Sequence, residues 1–287
     1  MQPAPVVSPD GYWMWNGTQW VPNTTAPAPA AVVATSVPVS AQAPVTSPDG
    51  LWIWNGAQWV PNAFRSIFSY ESAGFRAMMA TLFICVNVVG ILLFMTFDVL
   101  DGIRLEQGGP ASGTLFLIEG FIAIFGLIGY YGGFIPAVVF FVMWVHRVVR
   151  NMPSLGAVDP RFTPGAAVAW CFVPFVNLVQ PFFSVLDAWR GSIPAHRWLD
   201  RAARRAGPVP SLVAGWWAAW LGARLLTWIG YLMTQSSDTT VKVEGTFVDV
   251  FGNGVLVLAA ALAILVVRRL TAQQDRRNQL IASGQLA

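Results

Sequence analysis

The chain has 287 residues, 55% of them hydrophobic and only 11% charged, with a formal net charge of +3. That balance excludes an ordinary soluble domain, in which about a quarter of the residues are charged. It also excludes a nucleic-acid surface, because the arginines cluster at the ends of apolar runs, the pattern that orients a membrane protein.

Residues 1–9 carry neither a basic nor an apolar region, so no cleavable signal peptide is expected and insertion falls to the internal apolar runs. Two copies of one motif follow: SPDGYWMWNGTQWVPN from Ser8 and SPDGLWIWNGAQWVPN from Ser47, identical at thirteen of sixteen positions. Aromatic alternation, Asn-Gly and a second alternating run predict a β-hairpin in each copy. With Asn16-Gly17 as a two-residue turn, Trp13 faces Trp20 with Trp15 beside them; Asn55-Gly56 likewise sets Trp52 opposite Trp59, beside Trp54. Lone hairpins are marginal in water. The six tryptophans are therefore candidates for docking a cytoplasmic protein partner, the alternative being that the two copies pack on each other. Residues 24–46 hold only Ala, Pro, Val, Ser, Thr and one Gln, which predicts an extended, disordered linker. The arm thus divides into 1–23, 24–46 and 47–62. Its repeats resemble short tryptophan-rich modules of unestablished function from bacterial membrane proteins, at Pro9, Asp10, Gly11, Trp13, Trp15, Gly17 and Trp20 and their counterparts from Pro48.

The membrane domain spans 70–277, with a cytoplasmic tail at 278–287. Its first span is 77–97, an uncharged stretch of about 31 Å as a helix. The loop beyond, with Asp98, Asp101, Arg104 and Glu106, has no basic cluster and is placed outside. Residues 114–149 are too long for one upright span and too short for two; they predict one tilted or kinked helix, crossing over about 118–146 and anchored by Trp144 and Arg147.

Residues 164–186 are apolar, yet Pro174 and Pro181 interrupt them with Asn177 and Gln180 between. Proline removes a backbone donor and clashes with the preceding turn, so a straight helix is not expected. Basic residues flank both sides (Arg147, Arg150 and Arg161; Arg190, Arg197, Arg201, Arg204 and Arg205), so the segment returns to the side it left, as a re-entrant or interfacial hairpin. Five full spans, the alternative, would export five arginines. Residues 195–206 predict a short amphipathic helix on an anionic inner leaflet, with Arg197, Arg201, Arg204 and Arg205 on one side, or else a basic loop. Spans at 211–233 and 250–267 complete an all-α integral membrane protein of four transmembrane helices, both termini cytoplasmic, in the plasma membrane.

From Tyr70 to Arg277 the chain resembles an uncharacterised bacterial family of multi-pass membrane proteins, abundant in actinobacteria. The matching residues are Trp144, Arg147, Arg150 and Asn151; Phe162-Thr163-Pro164-Gly165; Trp170, Phe172-Val173-Pro174, Asn177-Leu178 and Pro181; Asp187-Ala188-Trp189; Trp216-Trp217; and Leu265 to Thr271. The resemblance implies a domain of unknown function, with no established substrate or cofactor.

No metal-ligand, nucleophile or phosphate-loop pattern appears, and neither an enzyme activity nor a cofactor is expected. His146 and His196 sit beside arginines at helix ends, as interfacial anchors; Cys85 and Cys171 lie in apolar runs, as core thiols. Two charges sit inside spans: Glu119, five residues past Thr114, and Arg224, nine before Met233. Each costs about 2.5–3.5 kcal/mol or more if unpaired at mid-membrane. A helix-locking ion pair between them is expected; the alternative is a polar solute path through Asn177, Gln180 and Arg224. The reading is a membrane scaffold or sensor that recruits its partner through the tryptophan-rich arm, with a small transporter or channel as the rival.

Overall fold

The computed structural model describes five short strands (6–7, 13–15, 20–22, 52–54 and 59–61) and residues 69–107, 113–157, 160–193 and 201–285. The chain divides into two compact units, 1–44 and 45–287.

In the first unit β1 (Val6–Val7), β2 (Trp13–Trp15) and β3 (Trp20–Pro22) form an antiparallel sheet in that order. The register sets Trp15 opposite Trp20 and Trp13 opposite Pro22, so four residues separate the paired ends instead of Asn16-Gly17 alone. The second unit repeats this with β4 (Trp52–Trp54) and β5 (Trp59–Pro61), where Trp54 pairs with Trp59 and Trp52 with Pro61. A directly opposed aromatic pair next to the connection stabilises such a ribbon, which favours this register over the two-residue turn. The predicted linker at 24–46 lies outside the described residues.

The rest of the second unit is helical. Helices α1 (Gly74–Glu106), α2 (Gly113–Asn151) and α7 (Thr239–Ala282) are long and apolar enough to cross a membrane. Each overruns its predicted span. Helix α1 passes Phe97 and takes Asp98, Asp101 and Arg104 with it, because nothing breaks the helix before Gly108-Gly109-Pro110. Helix α2 runs unbroken through Pro136. Helix α7 starts at Asp238, whose carboxylate accepts from the amides of Thr240 (2.8 Å) and Val241, an N-cap that turns an expected loop into helix. It then continues past Arg268-Arg269 to Ala282, so the first half of the expected 278–287 tail is helix. Helix α6 (Ser211–Thr234), predicted as a span, is less apolar than these three and is not among the helices long and apolar enough to cross. Its four tryptophans, glycines and Arg224 dilute its hydropathy.

Helix α1 packs along α2 and along α7, and α6 along α7. Helices α1 and α7 are antiparallel: Tyr70 bonds Asp275 at one end, and Gly102 meets Thr246 at the other. At the α1–α2 crossing the backbones nearly touch. A Cβ on Gly90 would stand 2.1 Å from the Tyr130 nitrogen, and one on Gly133 would stand 2.2 Å from that of Asn87. Only glycine permits this approach, and the Asn87 side chain uses it, donating to the Tyr130 carbonyl at 2.9 Å.

Between α2 and α6 the chain makes a broken hairpin. A short 3-10 turn (Pro153–Leu155) leads to α3 (Pro164–Ala169), where Thr163 accepts from the Ala166 amide at 3.2 Å and Pro164 fills the first turn. The chain reverses after Pro174 at Phe175, whose φ of 62° is the left-handed conformation that L residues avoid. A second 3-10 turn (Val176–Leu178) then enters α4 (Gln180–Ser192), with Pro181 in its first turn. The prolines therefore begin or end helices here and interrupt none. Phe172 and Phe175, 64% and 84% exposed, form an apolar tip. The Trp217 indole of α6 holds the tip by donating to the Leu178 carbonyl at 3.1 Å. The core lies at the arginine-rich end, around Trp144, Val148, Met152, Val185, Trp189, Trp216, Val266 and Leu270.

Candidate functional site

The same end carries a network of buried polar side chains. Helix α4 is buried from Ser184 through Ser192, and Asp187 sits in the middle of that run. One Asp187 oxygen takes Arg204 Nε at 3.0 Å; the other takes the Arg161 amide at 2.7 Å. Arg204 is on α5 (Arg201–Ala206) and is fully buried. This corrects the expectation that it lies on the lipid with its neighbours: a buried carboxylate claims it first, since either charge alone would be costly there. Arg197 and the Arg201 side chain lie outside what the structure describes.

Two further arginines tie chain ends together. The Arg190 guanidinium donates to the carbonyls of Arg204 (2.9 Å), Pro208 (3.1 Å) and Gly207, closing the C-terminal end of α5. Arg277 of α7 donates to the Leu155 carbonyl at 2.7 Å and to that of Ile193, joining the first 3-10 turn to the end of α4. Between them Gln274 donates to the Val148 carbonyl (2.9 Å) and the Ser192 hydroxyl (3.2 Å). Its oxygen accepts from Asn151 (3.1 Å), which also donates to the Glu71 carbonyl at 2.8 Å. Trp144, wholly buried, donates to Thr271 at 2.9 Å. Five elements are stitched together with nearly every polar group satisfied.

Towards the rim, Glu71 takes Arg147 at 2.8 Å and Arg76 at 3.0 Å, and the hydrogen bond from Arg76, helped by the Arg147 charge, holds its carboxyl below the usual range. The Arg161 guanidinium lies 4.0 Å over the Phe183 ring. Tyr70 donates to Asp275 at 2.7 Å; burial, then that bond, push its phenol well above its ordinary range.

The expected Glu119–Arg224 pair does not form. Glu119 stands 3.6 Å from Arg104 of α1, which also pairs with Asp101. The extension of α1 beyond Phe97 supplies this cation. Arg224 is exposed on α6, and the charge it acts on is that of Asp249 in α7. Of the broken-hairpin residues, Pro174 precedes the reversal, Pro181 opens α4, and Asn177 is half-buried in the second 3-10 turn. Gln180 keeps a buried side-chain oxygen without a partner, as does the Trp170 nitrogen. Asn177, Gln180 and Arg224 line neither of the two described cavities. Among the described residues no group of three His, Cys, Asp or Glu is placed to hold a metal ion. Of the docking tryptophans only the Trp54 side chain is described, and it is 38% exposed.

Long apolar helices closed at one end by a buried polar network define a helical domain of membrane-protein type. Residues 116–272 match the family model described as Domain of unknown function (DUF4328), and the chain belongs to that family. No curated protein and no solved structure matches the chain. The family model covers α2 through most of α7, and with them Trp144, Asn151, Asp187, Arg190 and Arg204. Glu71, Gln274 and Arg277, which complete the network, lie outside it.

Proposed function

We propose that the protein is a plasma-membrane scaffold of four transmembrane helices, α1, α2, α6 and α7, that recruits a cytoplasmic partner through its tryptophan-rich repeats. The observation that carries this reading is the saturation of the polar network. Asp187, Arg190, Arg204, Gln274 and Arg277 are spent on carbonyls, amides and one another, which suits them to holding shape more than to reacting. The arginine-rich end is cytoplasmic by the charge rule, so both termini are inside and the 164–192 hairpin dips its Phe172–Phe175 tip into the inner leaflet. On this reading the network is the rigid cytoplasmic base from which the arm reaches out.

Topology is tested by single cysteines in a chain lacking Cys85 and Cys171. Ser154→Cys, Ala202→Cys and Ser283→Cys are expected to label from the cytoplasm and Ser237→Cys from outside. Opposite sides for Ser154→Cys and Ala202→Cys would replace the hairpin with a fifth span. Recruitment is tested by affinity capture. Twin copies on a linker act through avidity, a gain of about 10²–10⁴ where the partner offers two sites. Deleting either repeat, or Trp20→Ala or Trp59→Ala, is then expected to weaken capture far more than twofold. Equal capture by one-repeat and two-repeat arms would remove the avidity argument.

A further inference from the structure

A cleft of about 420 Å³ opens between α1 and α7 near the arginine-rich end. Its walls include Ala77, Met78 and Thr81 of α1 and Arg268, Thr271 and Asp275 of α7. Arg268 and Asp275 are seven residues apart, two turns and about 10 Å along one side of a helix. They line the same cleft with opposite charge but make no ion pair with each other. Arg268 has no hydrogen-bond or ion-pair partner among the described residues. Among the described residues Asp275 accepts only the Tyr70 hydroxyl, on one oxygen. The Thr81 hydroxyl is buried without a partner, although a helical threonine ordinarily satisfies itself on the carbonyl four residues back.

The two helices run antiparallel, so these groups are ordered by depth. Thr81 is seven residues into α1 and Arg268 is seven residues short of Asp275 on α7; cation and hydroxyl therefore share the deeper level, and the carboxylate lies towards the helix ends. From the deep end outward the cleft offers the Arg268 guanidinium, then the apolar wall of Met78 and Ala77, then the Asp275 carboxylate. A phospholipid entering from the inner leaflet presents acyl chain and glycerol, then phosphate, then whatever the phosphate carries.

We propose that this cleft binds the headgroup of phosphatidylethanolamine. The phosphate lies against Arg268, and the primary ammonium lies on the open oxygen of Asp275. Arginine matches phosphate in shape as well as charge. Basic pockets between helices on the cytoplasmic side are an established way of holding lipid headgroups, and the carboxylate is what selects a zwitterion. Phosphatidylglycerol would set an uncharged hydroxyl group and a net negative headgroup against Asp275. Phosphatidylcholine has a cation without N–H donors to give to the carboxylate.

The inference rests on the membrane reading above, and the experiment separates the two. The full chain, purified in detergent, is titrated with dioleoyl phosphatidylethanolamine, phosphatidylcholine and phosphatidylglycerol, and lipid adducts are counted by native mass spectrometry. The ethanolamine lipid is expected to dominate. Asp275→Asn, which keeps an acceptor for Tyr70, is expected to lower its binding about fivefold, the worth of an interfacial charge pair, and to leave the glycerol lipid unchanged or tighter. Arg268→Gln is expected to weaken all three lipids, and Arg269→Gln, one residue away and outside the cleft, none. Tyr70→Phe keeps the carboxylate and is expected to retain the preference, which separates lost selectivity from lost packing. Phosphatidylethanolamine binding that ignores both Asp275→Asn and Arg268→Gln would overturn the site, as would equal binding of the glycerol lipid that Asp275→Asn does not alter. A chain left in the supernatant when cell membranes are sedimented refutes the membrane reading; one that sediments with membranes but shows no selectivity refutes the lipid site alone.

Discussion

The two ends of the helical unit are held together by different physics. At the arginine-rich end the helices meet on Trp144, Val148, Leu270 and Trp216, and buried charges and amides stitch the short elements between them. Towards the other end α1 and α2 meet on Gly90 and Gly133 and turn Leu82, Val89, Phe121, Ile128 and Ile135 outward. Water drives apolar side chains inward at a wetted end, so a core forms and polar groups enter it only in satisfied sets. Where the surroundings are themselves apolar that drive is gone, and close backbone approach at small residues takes its place. One pair of long helices displays both regimes along its length.

Breaking the polar end is expected to have the largest effect. Asp187→Ala removes the buried carboxylate that Arg204 and the Arg161 amide share. The expected loss is about 3–5 kcal/mol, read as a fall in thermal midpoint in detergent and in yield from membranes. A midpoint unchanged by Asp187→Ala would show that the buried Arg204 does not depend on this carboxylate. Asn151→Ala removes the donor to both Gln274 and the Glu71 carbonyl and is expected to lose about 1–3 kcal/mol.

The lipid-facing regime is broken with one added methyl group. Gly133→Ala would place its Cβ against the Asn87 backbone, so the helices must part, at about 1–3 kcal/mol. Gly132→Ala, one residue away with open space around it, is expected to be neutral or to stabilise by up to about 1 kcal/mol through helix propensity. If both variants behave alike, the glycine contact between α1 and α2 is not what holds that end.

Much of this was legible in the residues, and the misses have physical causes. Apolar length identified α1, α2 and α7, and the spacing of Pro174 and Pro181 marked the broken segment between them. Within the arginine-rich run at 195–206 it was Arg204 that misled, because helical periodicity cannot distinguish a charge that faces lipid headgroups from one that faces a buried Asp187. Glu119 was matched with Arg224 because a loop was read after Phe97; an uninterrupted α1 supplies Arg104 instead. Gln274 and Arg277 went unread, yet α7 carried a signal. Its buried face runs Ala259, Ala263, Val266, Leu270, Gln274 and Arg277, so the apolar stripe continues into polar residues beyond Arg268-Arg269 without changing sides. A stripe that keeps its period while changing its chemistry marks a helix leaving one solvent for another.

The smallest effect lies at the boundary, where Tyr70 fastens the start of α1 to the end of α7. Tyr70→Phe removes one half-buried hydrogen bond to Asp275, worth about 1 kcal/mol. Its pH dependence distinguishes it from a mere packing change. The phenol is held protonated in the fold by burial and by the carboxylate it donates to, whereas the unfolded chain releases the proton near its ordinary value of 10.0. A group whose pKa is raised by folding contributes fully below the unfolded value, and its contribution is lost as pH climbs beyond it. The stability gap between the wild type and Tyr70→Phe is therefore expected to be flat below pH 10 and to narrow above it, while the gap to Gly133→Ala stays constant across the same range. Thermal unfolding of the three proteins on either side of that pH measures this. A Tyr70→Phe gap that persists unchanged above pH 10 would mean that the ring, and not its proton, holds the two helices together.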